Sequence, residues 1–152
     1  MHEPRKEPSS KWCSHKTNGP AVSYEIAIDI FESKLVWLNG PFPAGQSDLA
    51  IFRKEDGLKS KIPHGKRIIG DRGYRGDRCN NVSIRNPRDT PQVKEFKNRA
   101  LARHENFNGR IKNFAILAER FRHPLDLHRA VFEAICVLVQ YDMENGHPLT
   151  EV

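Results

Sequence analysis

The sequence predicts a single α/β domain, and three observations carry that prediction. Short β-branched and aromatic runs alternate with a helical pattern up to about Thr90, and two longer stretches of 3.6-residue periodicity follow. The chain has 152 residues with 38% hydrophobic content, enough for one core and not comfortably enough for two. Residues 21–150 form the expected domain, preceded by an extended arm over 1–20.

The arm is rich in Pro, Ser and Lys and shows no apolar period. "AVSYEIAIDI" (21–30) and "KLVWLN" (34–39), joined by "FES", read as adjacent antiparallel strands. Alternation places Val22, Tyr24, Ile26, Ile28 and Ile30 on one face and Ser23, Glu25, Ala27 and Asp29 on the other. "GPFPAGQ" stops the second strand. "SDLAIFRKEDGL" then reads as a helix, with Ser47 or Asp48 as its N-cap and Gly57 near its end. "RIIG" is a short strand leading into "DRGYRG", and "NVSIRNP" is a further extended piece. From Thr90 onward Phe96, Ala100, His104, Phe107, Ile111, Phe114, Ala118 and Phe121 step by threes and fours, which predicts a long helix. "HPLDLH" breaks it. "HRAVFEAICVLVQYDMEN" is a final helix, apolar on most sides and expected to be buried, ended by Gly146 and Pro148.

Charge and cysteine usage narrow the class. Lys and Arg number 25 against 19 Asp and Glu, a formal net charge of +6, which favours a polyanionic partner and most simply nucleic acid. Cys13, Cys79 and Cys136 are an odd number at wide spacing, as expected of reduced intracellular thiols. The N-terminus has no apolar targeting segment. The longest apolar run, "AICVLV", is far below the roughly 20 residues of a membrane span, so no membrane partner is expected and the chain is expected to be soluble.

Two acids are the candidates for chemistry. Asp71 follows a short apolar strand and precedes Gly73, and strand ends are where open α/β sheets collect their sites. A carboxylate there suits Mg²⁺, although by position alone Asp71 reads first as a turn and cap residue. Glu105, in "RHENFNGR", falls nearly opposite the Phe96–Phe121 stripe. Either Gly109 bends the helix, or its Leu101/Glu105/Ile116 side faces the sheet; alone, Glu105 reads as a solvated surface residue. Two carboxylates on one or two Mg²⁺ ions would make a phosphodiester-cleaving centre. Lys94, Lys97, Arg99, Arg103, Arg110 and Lys112 would then contact phosphates without reading bases, unless they simply form a solvated helix face. The glycines 70, 73 and 76 space as GxxGxxG, unlike a dinucleotide fingerprint. Cys13 and His15 have no second pair to make a zinc site, His104 reads as a packed histidine, and Trp12 and Trp37 read as core.

Taken in order, "YEIAIDIFESKLVWLNGPFPAGQSDLAIFR", "IIGDRGYRG", "FKNRALARHENFNGRIKNFAILAERFRH" and "FEAICVLVQYDMENGHPL" resemble the catalytic domain of DDE superfamily endonucleases, the transposase type of PIF/Harbinger-like elements. The resemblance runs from about Lys11 to Leu149. It implies an RNase H-like mixed sheet flanked by helices, and three acids that hold two divalent ions, Mg²⁺ or Mn²⁺, for DNA strand cleavage and transfer. By this resemblance Asp71 is the second acid and Glu105 the third, and Asp48 is a recurrent family residue outside the metal set, for which N-capping is the expected role. The first acid would lie on a strand preceding "HEPRKEPSSKWCSHK", and Asp29 does not match its position. The resemblance therefore implies a chain lacking its first strand and first Asp, an N-terminally truncated product inactive alone, or else a transposase-derived DNA- or protein-binding module. It further implies DNA as partner, a nuclear location, and either a homo-oligomer or a separate DNA-binding partner.

Overall fold

The structure is a computed structural model that describes residues 9–14, 19–77 and 81–152. Most of the arm's residues 1–8 and 15–18, with His15, and also Cys79 lie outside the described residues. Helix α1 (Ser9–Trp12) leads into β1 (Cys13–Ser14), which pairs antiparallel with β2 (Gly19–Pro20), and Trp12 is buried.

The central hairpin is β3 (Val22–Ile28) against β4 (Leu35–Pro43), antiparallel with Ile26 opposite Leu38. Its turn is closed by Asp29, whose Oδ1 accepts from the backbone N–H of Phe31 at 2.8 Å and of Glu32 at 2.7 Å. These bonds favour the ionised carboxylate and hold the Asp29 pKa below its ordinary value. β4 continues through "GPFP" where the sequence predicts a stop. Gly40 adopts φ +140, a cis bond joins it to Pro41, and the register shifts here between Ser23 and Glu25 of β3. A Cβ at Gly40 would lie 2.7 Å from the Tyr24 ring, so only glycine lets the strand bulge and go on.

Alternation along β3 divides the core as the period of two predicts. Tyr24, Ile26 and Ile28 face α3 (Pro91–Lys112) and α5 (Leu125–Glu144), where Phe107, Ile111, Phe132, Ile135, Cys136, Val139 and Met143 are buried. Ala27 and Trp37 face a second cluster built on Phe52, Leu58 and Val82. That cluster comes from α2 (Asp48–Phe52), a 3₁₀ turn (Leu58–Lys61), and the parallel pair β5 (Ile68–Ile69) and β6 (Val82–Ser83). The fold is thus α/β, with both parallel and antiparallel pairing. Among the described residues the sheet is divided into three two-stranded ladders instead of one continuous sheet.

The helical half departs from the sequence expectation in three places. The 22-residue helix α3, capped by the Thr90 hydroxyl, stops at Lys112, and only a short α4 (Ala115–Ala118) follows, so the Phe96–Phe121 stripe spans two elements. Phe107 and Ile111 face the core as the stripe predicts, but Phe96, one turn from the helix start, is exposed. The break comes earlier than expected, over residues 119–124, and takes in only the first two residues of "HPLDLH": Pro124, extended at ψ 155, sets the entry and Leu125 is already helical. Finally α5 is buried on one side only, with Val137, Leu138 and Tyr141 exposed.

Candidate functional site

Asp71 leaves β5 through Gly70, whose position admits no side chain, because a Cβ there would meet Val82 Cγ1 at 2.7 Å and the Tyr74 ring at 3.0 Å. The chain then forms a 3₁₀ turn, Arg72–Tyr74, with Asp71 as its cap: Oδ1 accepts from the Gly73 N–H at 2.8 Å. Tyr74 tucks back beneath the turn and meets Phe52 edge to face, with ring centroids 5.5 Å apart. Asp71 itself is exposed. The turn reading and the site reading of this residue are therefore compatible in one geometry, since the cap fixes the carboxylate at the strand exit.

The structure brings a second carboxylate to this turn, and it is Asp48. Ser47 caps α2 by accepting from the Ala50 N–H at 3.3 Å, so the N-capping role expected for Asp48 belongs to its neighbour. Asp48 is the first helical residue instead. A Cβ on Gly73 would collide with Asp48 Oδ2 and lie 3.0 Å from Asp71 Oδ1, so Gly73 fits between the two carboxylates. Arg53, at the other end of α2, donates to the Gly76 carbonyl and pins the turn from its far side. Burial raises the Tyr74 pKa, and the charges of Asp48, Glu25 and Asp71 add to the effect.

Glu25, on the face of β3 away from α5, is the titratable residue that the sequence analysis did not single out. Its side chain is buried, Oε2 accepts from Trp37 Nε1 at 2.8 Å and from the Leu58 N–H at 3.0 Å, and Oε1 has no hydrogen-bond partner among the described residues. Burial raises its pKa, partly offset by those two donors. The signal available in the sequence was its place opposite the Tyr24–Ile28 face.

Glu105 lies on the exposed side of α3, and the side that faces the core carries Arg103, Phe107 and Ile111. Leu101 is half-buried and Ile116 exposed, so the Leu101/Glu105/Ile116 side is not the packed one. His104 is a packed residue, with Nε2 3.3 Å from the Ile26 carbonyl.

The six basic residues separate into two groups. Lys97 is buried, donating to Ile84 O at 2.8 Å and pairing with Asp89 at 2.9 Å. Arg103 is buried, donating to the carbonyls of Asp29, Leu149 and Thr150 and to Ser33 Oγ. Arg110 is half-buried and bonds Asp142 and the carbonyls of His147 and Pro148. These three hold the C-terminal segment and the β6 loop against α3. Lys94, Arg99 and Lys112 are exposed, Arg99 in a surface pair with Glu95. A surface cleft of about 420 Å³ after α4, lined by Glu119, Arg120, Arg122 and His123 among others, includes neither Asp71 nor Glu105.

Hard carboxylate oxygens suit Mg²⁺ or Mn²⁺. Among the described residues, however, no group of three or more His, Cys, Asp or Glu side chains converges as a metal site. The described donors do not complete such a site by themselves. Among the described residues, no helix is long and apolar enough to cross a membrane. The family model described as DDE superfamily endonuclease matches residues 2–140, while no curated protein and no solved structure matches the chain.

Proposed function

The chain belongs to the DDE superfamily endonucleases, a transposase-like nuclease family, and from that premise we propose that it is a domain for divalent-metal-dependent cleavage and transfer of DNA strands, with Asp71 and Glu105 as two of its acids. The observation that carries the reading is the strand exit at Asp71. There a backbone-capped carboxylate stands in the open, backed by the packed Tyr74 and flanked by Asp48. The chemistry a bound Mg²⁺ or Mn²⁺ supplies at such a carboxylate is activation of a water or 3′-hydroxyl and neutralisation of the leaving oxygen. This chain's own part is to hold the acids, and to meet DNA phosphates through the exposed Lys94, Arg99 and Lys112 on α3. An RNase H-like arrangement and a nuclear place of action belong to the same proposal.

Cleavage needs a third carboxylate. Asp29 is committed to its hairpin turn, and Glu25 is buried against Trp37. The second reading, a DNA- or protein-binding module without catalysis, draws on the absence of a three-donor cluster among the described residues.

Calorimetric titration of Mn²⁺ into the chain, into Asp71→Ala and into Glu105→Ala, paired with a plasmid-nicking assay, tests both. The enzymatic reading expects Mn²⁺-dependent nicking by the chain, and loss of both Mn²⁺ binding and nicking in the two variants. Mn²⁺ binding unchanged in both variants refutes the site. DNA binding without nicking establishes the binding module.

A further inference from the structure

One side of α5 packs on the core through Phe132, Ile135, Cys136 and Val139. The opposite side, at about 100° per residue, is also apolar at every position from Leu127 to Tyr141. It is uncovered except at Val131, which is half-buried against the core: Leu127 is 44% exposed, Val137 68%, Leu138 56% and Tyr141 65%. A helix apolar on both sides is ordinarily buried on both. This face is about 21 Å long and carries no cation along its centre, and at its edges Glu133 is paired with Arg129 and Asp142 with Arg110, so it offers no free positive charge along its centre to hold DNA phosphates.

The order of residues on this face identifies what covers it. Ala134 lies at its midpoint, and the flanking positions are symmetric about it: Val131 with Val137, Ala130 with Leu138, Leu127 with Tyr141. Two antiparallel copies of α5 related by a two-fold axis at Ala134 would set each of these residues against its counterpart. That is the self-complementary patch an isologous contact requires. The small residue at the centre lets the helix axes approach to about 8 Å. From the exposures, two copies would bury on the order of 1,000 Å² in all, the lower bound of a specific interface.

We propose that this face of α5 is a homodimer interface, closed by antiparallel packing of α5 on α5 about Ala134. The contact uses no residue of the Asp71 turn, so it stands or falls independently of the nuclease reading.

Sedimentation equilibrium of the intact chain from about 1 to 200 µM, a range that spans micromolar dissociation constants, tests it. The expected mass rises with concentration toward twice the 17.5 kDa of the chain. Leu138→Glu and Ala134→Arg, both at exposed positions, should return it to the monomer with an unchanged far-ultraviolet spectrum. Register is tested by oxidative cross-linking. Ala134→Cys should link to its counterpart, whereas Tyr141→Cys, about 21 Å from its own copy in this arrangement, should not exceed the wild-type background. A wild type monomeric throughout overturns the proposal, as does a dimer that survives Leu138→Glu, or Tyr141→Cys linking as fast as Ala134→Cys. The first of these outcomes would leave another segment or protein as the occupant of the face.

Discussion

Replacing Glu25 by Gln tests the reading of the second core cluster, and its outcome depends on pH. Glu25 is 5% exposed, with Oε2 satisfied by Trp37 and Leu58 and Oε1 unpartnered among the described residues. Burial raises the pKa of this group from its ordinary 4.5, so the folded state binds its proton more tightly than the unfolded chain does. The stability this residue contributes is therefore full below about pH 4.5 and is lost as pH rises through the raised value. Gln keeps an oxygen for both donors and resembles the protonated acid, removing the charge that goes unsolvated at neutral pH. The amide nitrogen of Gln takes the unpartnered oxygen's place and is no better satisfied, so the gain comes only from removing a buried charge, and roughly 1 kcal/mol is expected at pH 8. In a chain of this size that raises Tm by about 2–4 °C. At pH 4.5 the two proteins should converge, because the wild type is then carrying the proton itself. Urea unfolding of both at the two pH values measures the difference. A variant less stable at pH 8, or a difference independent of pH, would refute the account of Glu25 as a destabilised buried carboxylate.

Four other expectations rest on separate contacts. Gly73→Ala should cost about 1–3 kcal/mol in urea unfolding, because its Cβ displaces the Asp48 carboxylate; an unchanged midpoint would show that the two acids do not crowd that glycine. Arg103→Met should cost about 2–4 kcal/mol, since several buried acceptors lose a charged donor, and should leave the salt dependence of DNA affinity unchanged. Lys94→Ala, Arg99→Ala and Lys112→Ala should each alter stability by less than about 0.5 kcal/mol, and together should flatten the slope of DNA affinity against salt. Burial lowers the pKa of His128, which meets the Tyr24 hydroxyl at 2.9 Å, so stability should fall as pH drops through about 6.5, where the unfolded imidazole takes up its proton first. Urea midpoints measured from pH 7.5 to 5 that do not fall would contradict it.

The elements most legible in the sequence are those whose side-chain period is decided by burial. The alternation in β3 is readable because Tyr24, Ile26 and Ile28 meet the helices while Glu25 and Ala27 meet the other cluster. The continuation of β4 is not, because it depends on a glycine at φ +140 against a tyrosine ring that only the folded hairpin brings there. Charge is a weaker guide still. Lys97 and Arg103 read in sequence like Lys94 and Arg99, yet their stems lie along the core and their charged ends reach backbone carbonyls. Nothing in a run of cations says which of them will find a carbonyl from residue 84 or 149. The same holds for α5, whose uncovered face and buried face are alike in composition.

The acids show where the line between sequence and fold falls. Asp71 is recognisable because strand, acid and glycine are contiguous, so the local chain both turns and presents a carboxylate. Asp48 is 23 positions away by number, and its Ser-Asp pair fits a helix cap, the most economical reading of either residue. Ser47 takes that role, and Asp48 is thereby released to face Gly73. A glycine three residues before Gly76 reads as one more turn residue, but its lack of a side chain is what lets two carboxylates share the strand exit. Gly73→Ala therefore separates two uses of that glycine. If it only eases the turn, a Cβ should be tolerated, because the dihedral there is not one that only glycine adopts. If it makes room for Asp48 beside Asp71, the same methyl must move a charge.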